Sequence, residues 1–319
     1  MKTNSGYSLS VVIPIFNESD GIRFLVKSLN DFFEKHIDIS TEIIFVNDGS
    51  SDDSFTLLKN ENHQYYKARL ISLSKNYGSH AAMRAGFLNS TNDLCCCISA
   101  DLQEPLEILL ELREKIIEGC DFAWGYRKTT KRPFSEKIFS NLFAFVMRKF
   151  AFSNYPDKGF DVLMFNDKVR VELNKNIEAN SNVFLQVFSF GFRQGSITFH
   201  KQERKIGKSK WTLSKKVKIF IDSFVAFSYA PIRFVTIMGI IFFTVGCLWT
   251  IYIALRKILI GDLASGWPAL TSILLIGFGV TNISLGIIAE YLWRTLDSSR
   301  KRPVFIIEDM VDVPRSNLA

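Results

Sequence analysis

The sequence lacks an apolar N-terminal stretch of the kind that directs export. Its first ten residues are largely polar, and the run at 9–16 is only strand-length and interrupted by Pro14. The N-terminal region is therefore expected to stay in the cytoplasm. Cysteine is scarce, and its five copies show no metal spacing. Cys95, Cys96 and Cys97 are consecutive in an apolar run, Cys120 follows an expected helix, and Cys247 sits in a long apolar stretch. Consecutive side chains on a strand alternate between faces. Reduced, buried thiols in a reducing compartment follow from this. Internal repeats and low-complexity segments are also missing.

Long uncharged runs are confined to the C-terminal part. Residues 234–255 are 22 in number and residues 267–289 are 23, all without a charge. Each is long enough to cross a hydrocarbon core of about 30 Å as a helix. Two spans would leave both flanks on one side. Nine basic residues between Lys201 and Arg233 precede the first run, and Arg294, Arg300, Lys301 and Arg302 follow the second. Only Arg256 and Lys257 lie between the runs. That asymmetry puts both flanks in the cytoplasm. The net charge of +7 reads as attraction to lipid head groups and phosphates rather than to nucleic acid, because the basic residues concentrate beside the apolar runs.

The first 126 residues alternate strand and helix. Strands are expected at 9–15, 42–46, 69–73, 94–99 and 121–126. The helix after the first strand presents Ile22, Leu25, Val26, Leu29 and Phe33 on one face. Shorter helices follow around residues 55–58, 80–89 and from Pro105 to about residue 118. This rhythm predicts an α/β domain with a mainly parallel sheet and helices on both faces. Ligands then bind at the carboxyl ends of strands, so the loops at 17–20, 48–53, 76–79 and 101–104 carry the interest. Asp101 is expected at the end of a strand, with Gln103 pointing the same way; a carboxylate with an amide oxygen suits a hard divalent cation, and acidic residues here equally suit a helix N-terminus. Residues 134–153 read as a helix aromatic on more than one face, and 213–230 sets lysines before apolar and aromatic residues; both suit either a membrane interface or ordinary core packing. The tail after Arg302 is unreadable.

Taken together, several motifs carry a resemblance. They are Val12-Ile13-Pro14 with Asn17-Glu18, Ile43 to Ser50 ending in Asn47-Asp48-Gly49-Ser50, and Asn76-Tyr77-Gly78 before Ala82 and Gly86. Ala100-Asp101-Leu102-Gln103 with Pro105, Arg127, Arg204 with Gly207, Ser209, Lys210 and Trp211, and Ser228, Pro231 and Arg233 complete the set. The chain resembles the family 2 glycosyltransferases of the GT-A fold, in particular polyprenyl-phosphate glycosyltransferases similar to dolichol-phosphate mannose synthase and bactoprenol glucosyltransferases. The resemblance implies a GT-A, Rossmann-like catalytic domain over 1–212, an amphipathic interface helix at 213–230, a two-helix transmembrane hairpin within 231–293 and a cytoplasmic tail at 294–319.

It also implies a single, inverting transfer from a nucleotide diphosphate sugar, by family habit a UDP-sugar, to polyprenyl (undecaprenyl) phosphate. The place implied is the cytoplasmic face of a bacterial inner membrane, serving cell-surface glycan or lipopolysaccharide modification. Pro14, Asn17, Glu18 and Asp48 would hold the donor. Asp101 and Gln103 would bind Mg²⁺ or Mn²⁺ on its diphosphate. Arg127, Arg132, Arg204, Ser209 and Lys210 would hold the acceptor phosphate or the pyrophosphate. Asp101, Arg127 and Asp161 stand as catalytic candidates, and a homo-oligomer, a tetramer in related enzymes, is implied.

Two departures stand out. The family carries Asp-x-Asp before Leu-Gln, whereas this chain has Ser99-Ala100-Asp101, which removes one carboxylate. Relatives carry Gly-Asp-Phe-Arg in the middle region; here Gly159-Phe160-Asp161-Val162 shifts the acid by one and lacks the arginine. Two alternatives compete: a processive polysaccharide synthase and a scaffold that binds nucleotide sugar without turnover. The synthase would need more spans and a Gln-x-x-Arg-Trp motif, and neither is present.

Overall fold

The structure, a computed structural model, describes residues 6–128, 141, 144–145, 147–149, 161–178, 182–202, 230–260, 266–300, 302–313 and 315. The chain divides into two compact units. Met1–Ser223 with Pro303–Ala319 forms one, and Phe224–Arg302 forms the other.

The first unit is built on an eight-stranded sheet. Five strands match the expected rhythm: β1 (Leu9–Ile15), β2 (Thr41–Asn47), β3 (Lys67–Leu73), β4 (Leu94–Cys97) and β5 (Phe122–Arg127). Three more come from segments that gave no local signal: β6 (Val162–Asn166), β7 (Gln194–Phe199) and β8 (Ile307–Val313). Their order is β7-β5-β6-β4-β1-β2-β3-β8. The block β4-β1-β2-β3 is parallel, and so is the β5–β7 pair. β6 runs antiparallel between β4 and β5, and β8 runs antiparallel along the outer edge of β3.

Burial on both faces explains why β1 and β2 read as continuous apolar runs. Val11, Ile13, Ile43 and Phe45 face one core, shared with α1 (Ile22–Lys35) and α4 (Ile108–Ile117). Val12, Ile44 and Val46 face the other, shared with α3 (Ser79–Leu88), α5 (Asp167–Lys175) and α6 (Val183–Ser189). The short α2 (Ser54–Asn60) places buried Leu58 in the first core. Cys96 faces the first core and Cys95 and Cys97 the second, so the triplet alternates as expected. Burial pushes the Cys95 thiol up to about 12, which keeps it protonated.

Gly86 on α3 is fixed by contact. A Cβ there would stand 2.3 Å from Val12 Cγ1, so helix and strand approach closely only with glycine. Pro14, which donates no backbone bond, lies beyond the last β1–β4 pair, Val12 with Cys97. A proline in a central strand is tolerable at such a place.

The second unit holds α7 (Ala230–Ile260) and α8 (Trp267–Ser299). Many of their large apolar side chains are exposed, among them Leu248, Trp249, Ile258, Phe278 and Leu292. Among the described residues, one stretch, Ile276–Trp293, is long and apolar enough to cross a membrane, and Ile232–Gly246 is a shorter apolar run. The expected interface helix at 213–230 lies outside the described residues except for Ala230. In the expected helix at 134–153 the described residues are helical, with Ala144 and Met147 buried and Phe145 exposed.

Candidate active site

The sheet order reverses between β1 and β4, since β2 and β3 lie on one side of β1 and β4 on the other. The crevice outside the carboxyl ends at such a switch point is where open α/β sheets bind ligands. The loops after β1, β2, β3 and β4 all end there.

Side chains tie the first two loops together. Asn17 adopts a left-handed backbone, φ 51°. Its N–H donates to Ser50 Oγ at 2.9 Å, and its Oδ1 accepts from Ser51 N–H at 2.8 Å. Glu18 N–H donates to Ser54 Oγ at 2.9 Å, and Ser19 N–H to Asp52 Oδ2 at 3.1 Å. Asn47 Oδ1 accepts from Ser50 N–H at 3.1 Å, while its amide donates to Ser72 Oγ at 3.0 Å.

Asp48 ties the second loop to the third. Its Oδ1 accepts Tyr77 N–H at 2.7 Å and its Oδ2 accepts Gly78 N–H at 2.9 Å. The residue is 3% exposed. Its carboxylate therefore organises the loop after β3. Burial pushes its pKa up to about 6, against the downward pull of the two N–H groups. Gly49 is held at φ +64°, and a Cβ there would stand 2.3 Å from the Lys75 carbonyl carbon. Only glycine permits this approach of two backbones.

The loop after β4 corrects one expectation. β4 ends at Cys97, so Asp101 and Gln103 do not share an extended strand face. Leu102 N–H instead closes a turn onto the Ser99 carbonyl at 3.2 Å. Leu102 has φ 48°, an uncommon conformation for a bulky residue. Gln103 N–H donates to Asp101 Oδ1 at 3.3 Å, and the Gln103 carbonyl accepts Gln202 N–H at 2.8 Å. The turn brings Asp101 and Gln103 together where alternation along a strand does not.

Asp161 and Arg127 also meet. Asp161 N–H donates to the Gly125 carbonyl at 3.1 Å, which aligns it with the end of β5. Arg127 Nε donates to Asp161 Oδ2 and Arg127 Nη2 to Asp161 Oδ1. The one-residue shift of the acid thus leaves it paired with Arg127.

Glu104 is a buried acid that motif reading missed. It is 3% exposed, and its Oε2 has no hydrogen-bond partner among the described residues. Burial pushes its pKa up, Lys201 opposes this, and the Asp161 and Asp101 carboxylates add to it. Those couplings link the loops after β4 and β7 with the residue before β6.

Arg132, Arg204, Ser209 and Lys210 lie outside the described residues. Among the described residues no group of three His, Cys, Asp or Glu side chains could hold a metal ion. Asp101 and Gln103 nevertheless offer hard oxygen donors on one turn, which suits Mg²⁺ or Mn²⁺ when a diphosphate supplies the remaining oxygens.

A profile of the family described as Glycosyl transferase family 2 matches residues 10–199, more than half of the 319-residue chain. The chain belongs to this family. The match runs from β1 through β7, so seven of the eight strands and all four loops of the crevice lie within the matched region, and β8 lies outside it. An undecaprenyl-phosphate 4-deoxy-4-formamido-L-arabinose transferase of Proteus mirabilis is 26% identical, over 97% of this chain and 95% of its own. A prophage bactoprenol glucosyl transferase homolog of Escherichia coli is 28% identical, over 94% and 98% respectively. Among solved structures, glucosyl-3-phosphoglycerate synthase from Mycobacterium tuberculosis, in complex with Mn²⁺, UDP and phosphoglyceric acid, aligns with a TM-score of 0.48. It is 16% identical, over 68% of this chain and 76% of that one.

Proposed function

We propose that this glycosyltransferase moves one sugar from a nucleotide diphosphate sugar, a UDP-sugar, to polyprenyl phosphate at the cytoplasmic face of a bacterial inner membrane. The observation that carries the acceptor is the extent of the likeness. Relatives named for undecaprenyl phosphate and bactoprenol align with this chain over at least 94% of its length, through both long helices. The exposed apolar side chains of α7 and α8 need a non-aqueous environment, and a bilayer supplies it.

The return of β8 to the sheet supports the topology. Residues 303–319 belong to the same unit as the catalytic sheet. A segment that leaves that unit and rejoins it would cross a bilayer an even number of times, which supports reading α7 and α8 as a two-helix hairpin. The basic flanks in the sequence favour the cytoplasmic side.

In this reading the donor lies over the loops after β1 and β2, against Pro14, Asn17 and Glu18, with Asp48 holding the loop beneath. Asp101 and Gln103 hold the cation, which when bound stabilises charge on the departing diphosphate. Arg132, Arg204, Ser209 and Lys210 receive the acceptor phosphate. Arg127, fixed by Asp161, adds positive charge at the end of β5. No general base is required. A phosphate monoester has its second pKa near ~6, so the acceptor is largely a dianion at neutral pH. Its oxygen forms the bond to the anomeric carbon as the bond to the diphosphate oxygen breaks. Positioning and charge stabilisation supply the rate. The inverting outcome follows from a single displacement, and a homo-oligomer follows the family pattern.

The test is donor consumption by purified protein in lipid. Consumption should require both a divalent cation and polyprenyl phosphate. Consumption without the lipid phosphate would refute the acceptor assignment.

A further inference from the structure

The C-terminal strand reaches the loop after β3. β8 pairs with β3 from Ala68 with Val313 to Leu73 with Ile307. The register slips between Ser72 and Leu73, a bulge at the end of β3 that faces the site. Bulges re-aim chains beside active sites. Beyond the slip, the Ile306 carbonyl accepts Ser74 N–H at 3.0 Å. Ser74 opens the loop after β3, and its Oγ lies 3.0 Å from the Tyr77 hydroxyl. Tyr77 and Gly78 donate to Asp48, and Gly49 presses on Lys75 and Asn76. Phe305 and Ile307 pack against the same apolar cluster as Tyr77. Lys59–Asp309 at 2.8 Å and Arg69–Asp312 at 2.6 Å fasten the strand, one from each face of the sheet.

We propose that residues 303–313 act as a strap that positions the loop at 74–78, and through it Asp48 and the donor subsite. α8 ends at Ser299, so only residues 300–306 separate the second long helix from β8. The strap's residues touch no reacting atom and act through Ser74, Tyr77 and Asp48. The proposal rests on the reading of those loops as the donor site.

Full-length protein in lipid nanodiscs tests it by hydrogen exchange and steady-state kinetics. Ile307→Pro removes one N–H from the strand and disturbs the bulge. Exchange at 74–78 should rise tenfold or more while β2 stays protected, and donor KM should rise about fivefold with kcat within twofold. The double charge reversal D309K/D312K leaves the backbone intact and removes both ion pairs. It should shift exchange and KM in the same direction by a smaller factor, and it decides the matter if Ile307→Pro also opens β2. Unchanged exchange at 74–78 with residues 307–313 deprotected would overturn the link. Raised exchange with unchanged donor KM would overturn the connection to the donor. Asp48→Asn tests the donor reading separately: an unchanged donor KM there would refute that reading and leave the mechanical link standing.

Discussion

Arg127, the last residue of β5, and Asp161, the residue before β6, face each other in a two-bonded ion pair. Both side chains are about one-fifth exposed, 22% and 21%. A bidentate pair in this setting fixes the guanidinium plane as well as its charge. Arg127→Ala and Asp161→Asn should each lower kcat, and the double variant should lose little more than the worse single one. We expect a coupling of about 1–3 kcal/mol, read from kcat in a double-mutant cycle. Additive losses would show that the two residues act separately.

Asp48 should give donor binding a pH dependence. Its pKa is raised from 3.8 to about 6, chiefly by burial. The raised value means that the neutral form suits the fold better. This contribution to stability is full below 3.8 and lost as pH rises through about 6, a cost on the order of 3 kcal/mol at pH 7. Function has the opposite sign. Only the ionised carboxylate accepts from both Tyr77 and Gly78, so the loop should loosen as pH falls through 6. The dissociation constant of the intact nucleotide sugar, measured without acceptor, should rise roughly tenfold per pH unit below 6. An Asp48→Asn variant should bind more weakly and be flat across that range.

Gly49→Ala should damage the same region without changing a charge. The new Cβ meets Lys75 and Asn76 backbone atoms that are held by neighbouring bonds, and the positive φ adds strain. A stability loss of at least about 2 kcal/mol is expected, with donor affinity falling too. Denaturant unfolding of the variant checks the first effect, and nucleotide-sugar binding the second.

The pairing of β8 with β3 also makes a topological prediction. The chain N-terminus and residues near 308 should lie on one side of the membrane. Protease digestion of sealed vesicles in both orientations should cut or spare both together. Opposite accessibility of the two ends would rule out the even number of crossings.

Much of the sheet was legible in the sequence, because β1 and β2 are buried on both faces and their apolar runs end in Asn17-Glu18 and Asp48-Gly49-Ser50. The two α/β cores and the alternating cysteines followed from the same periodicity. β6, β7 and β8 were not legible. β6 is inserted between strands met earlier in the chain, and β8 pairs Asp309 with Ser72 from the far end of it. Local composition does not identify such distant partners. Asp101 and Gln103 lie on a turn and not on the strand end that the apolar run suggests. β4 stops at Cys97, and a turn through Leu102 replaces strand alternation. Asp48 stands out in the sequence as the acid that ends a buried strand, but its engagement by Tyr77 and Gly78 depends on how two loops meet.

Transfer to lipid phosphate is the central claim, and one measurement addresses it most directly. Purified protein in nanodiscs would be given a panel of nucleotide sugars with undecaprenyl phosphate and Mg²⁺ or Mn²⁺, and the lipid products would be weighed by mass spectrometry. The expected result is one donor yielding undecaprenyl phosphate carrying a single sugar, with none formed by a folded Asp101→Ala variant. A polymer, or the same lipid product at normal rate from Asp101→Ala, would contradict it.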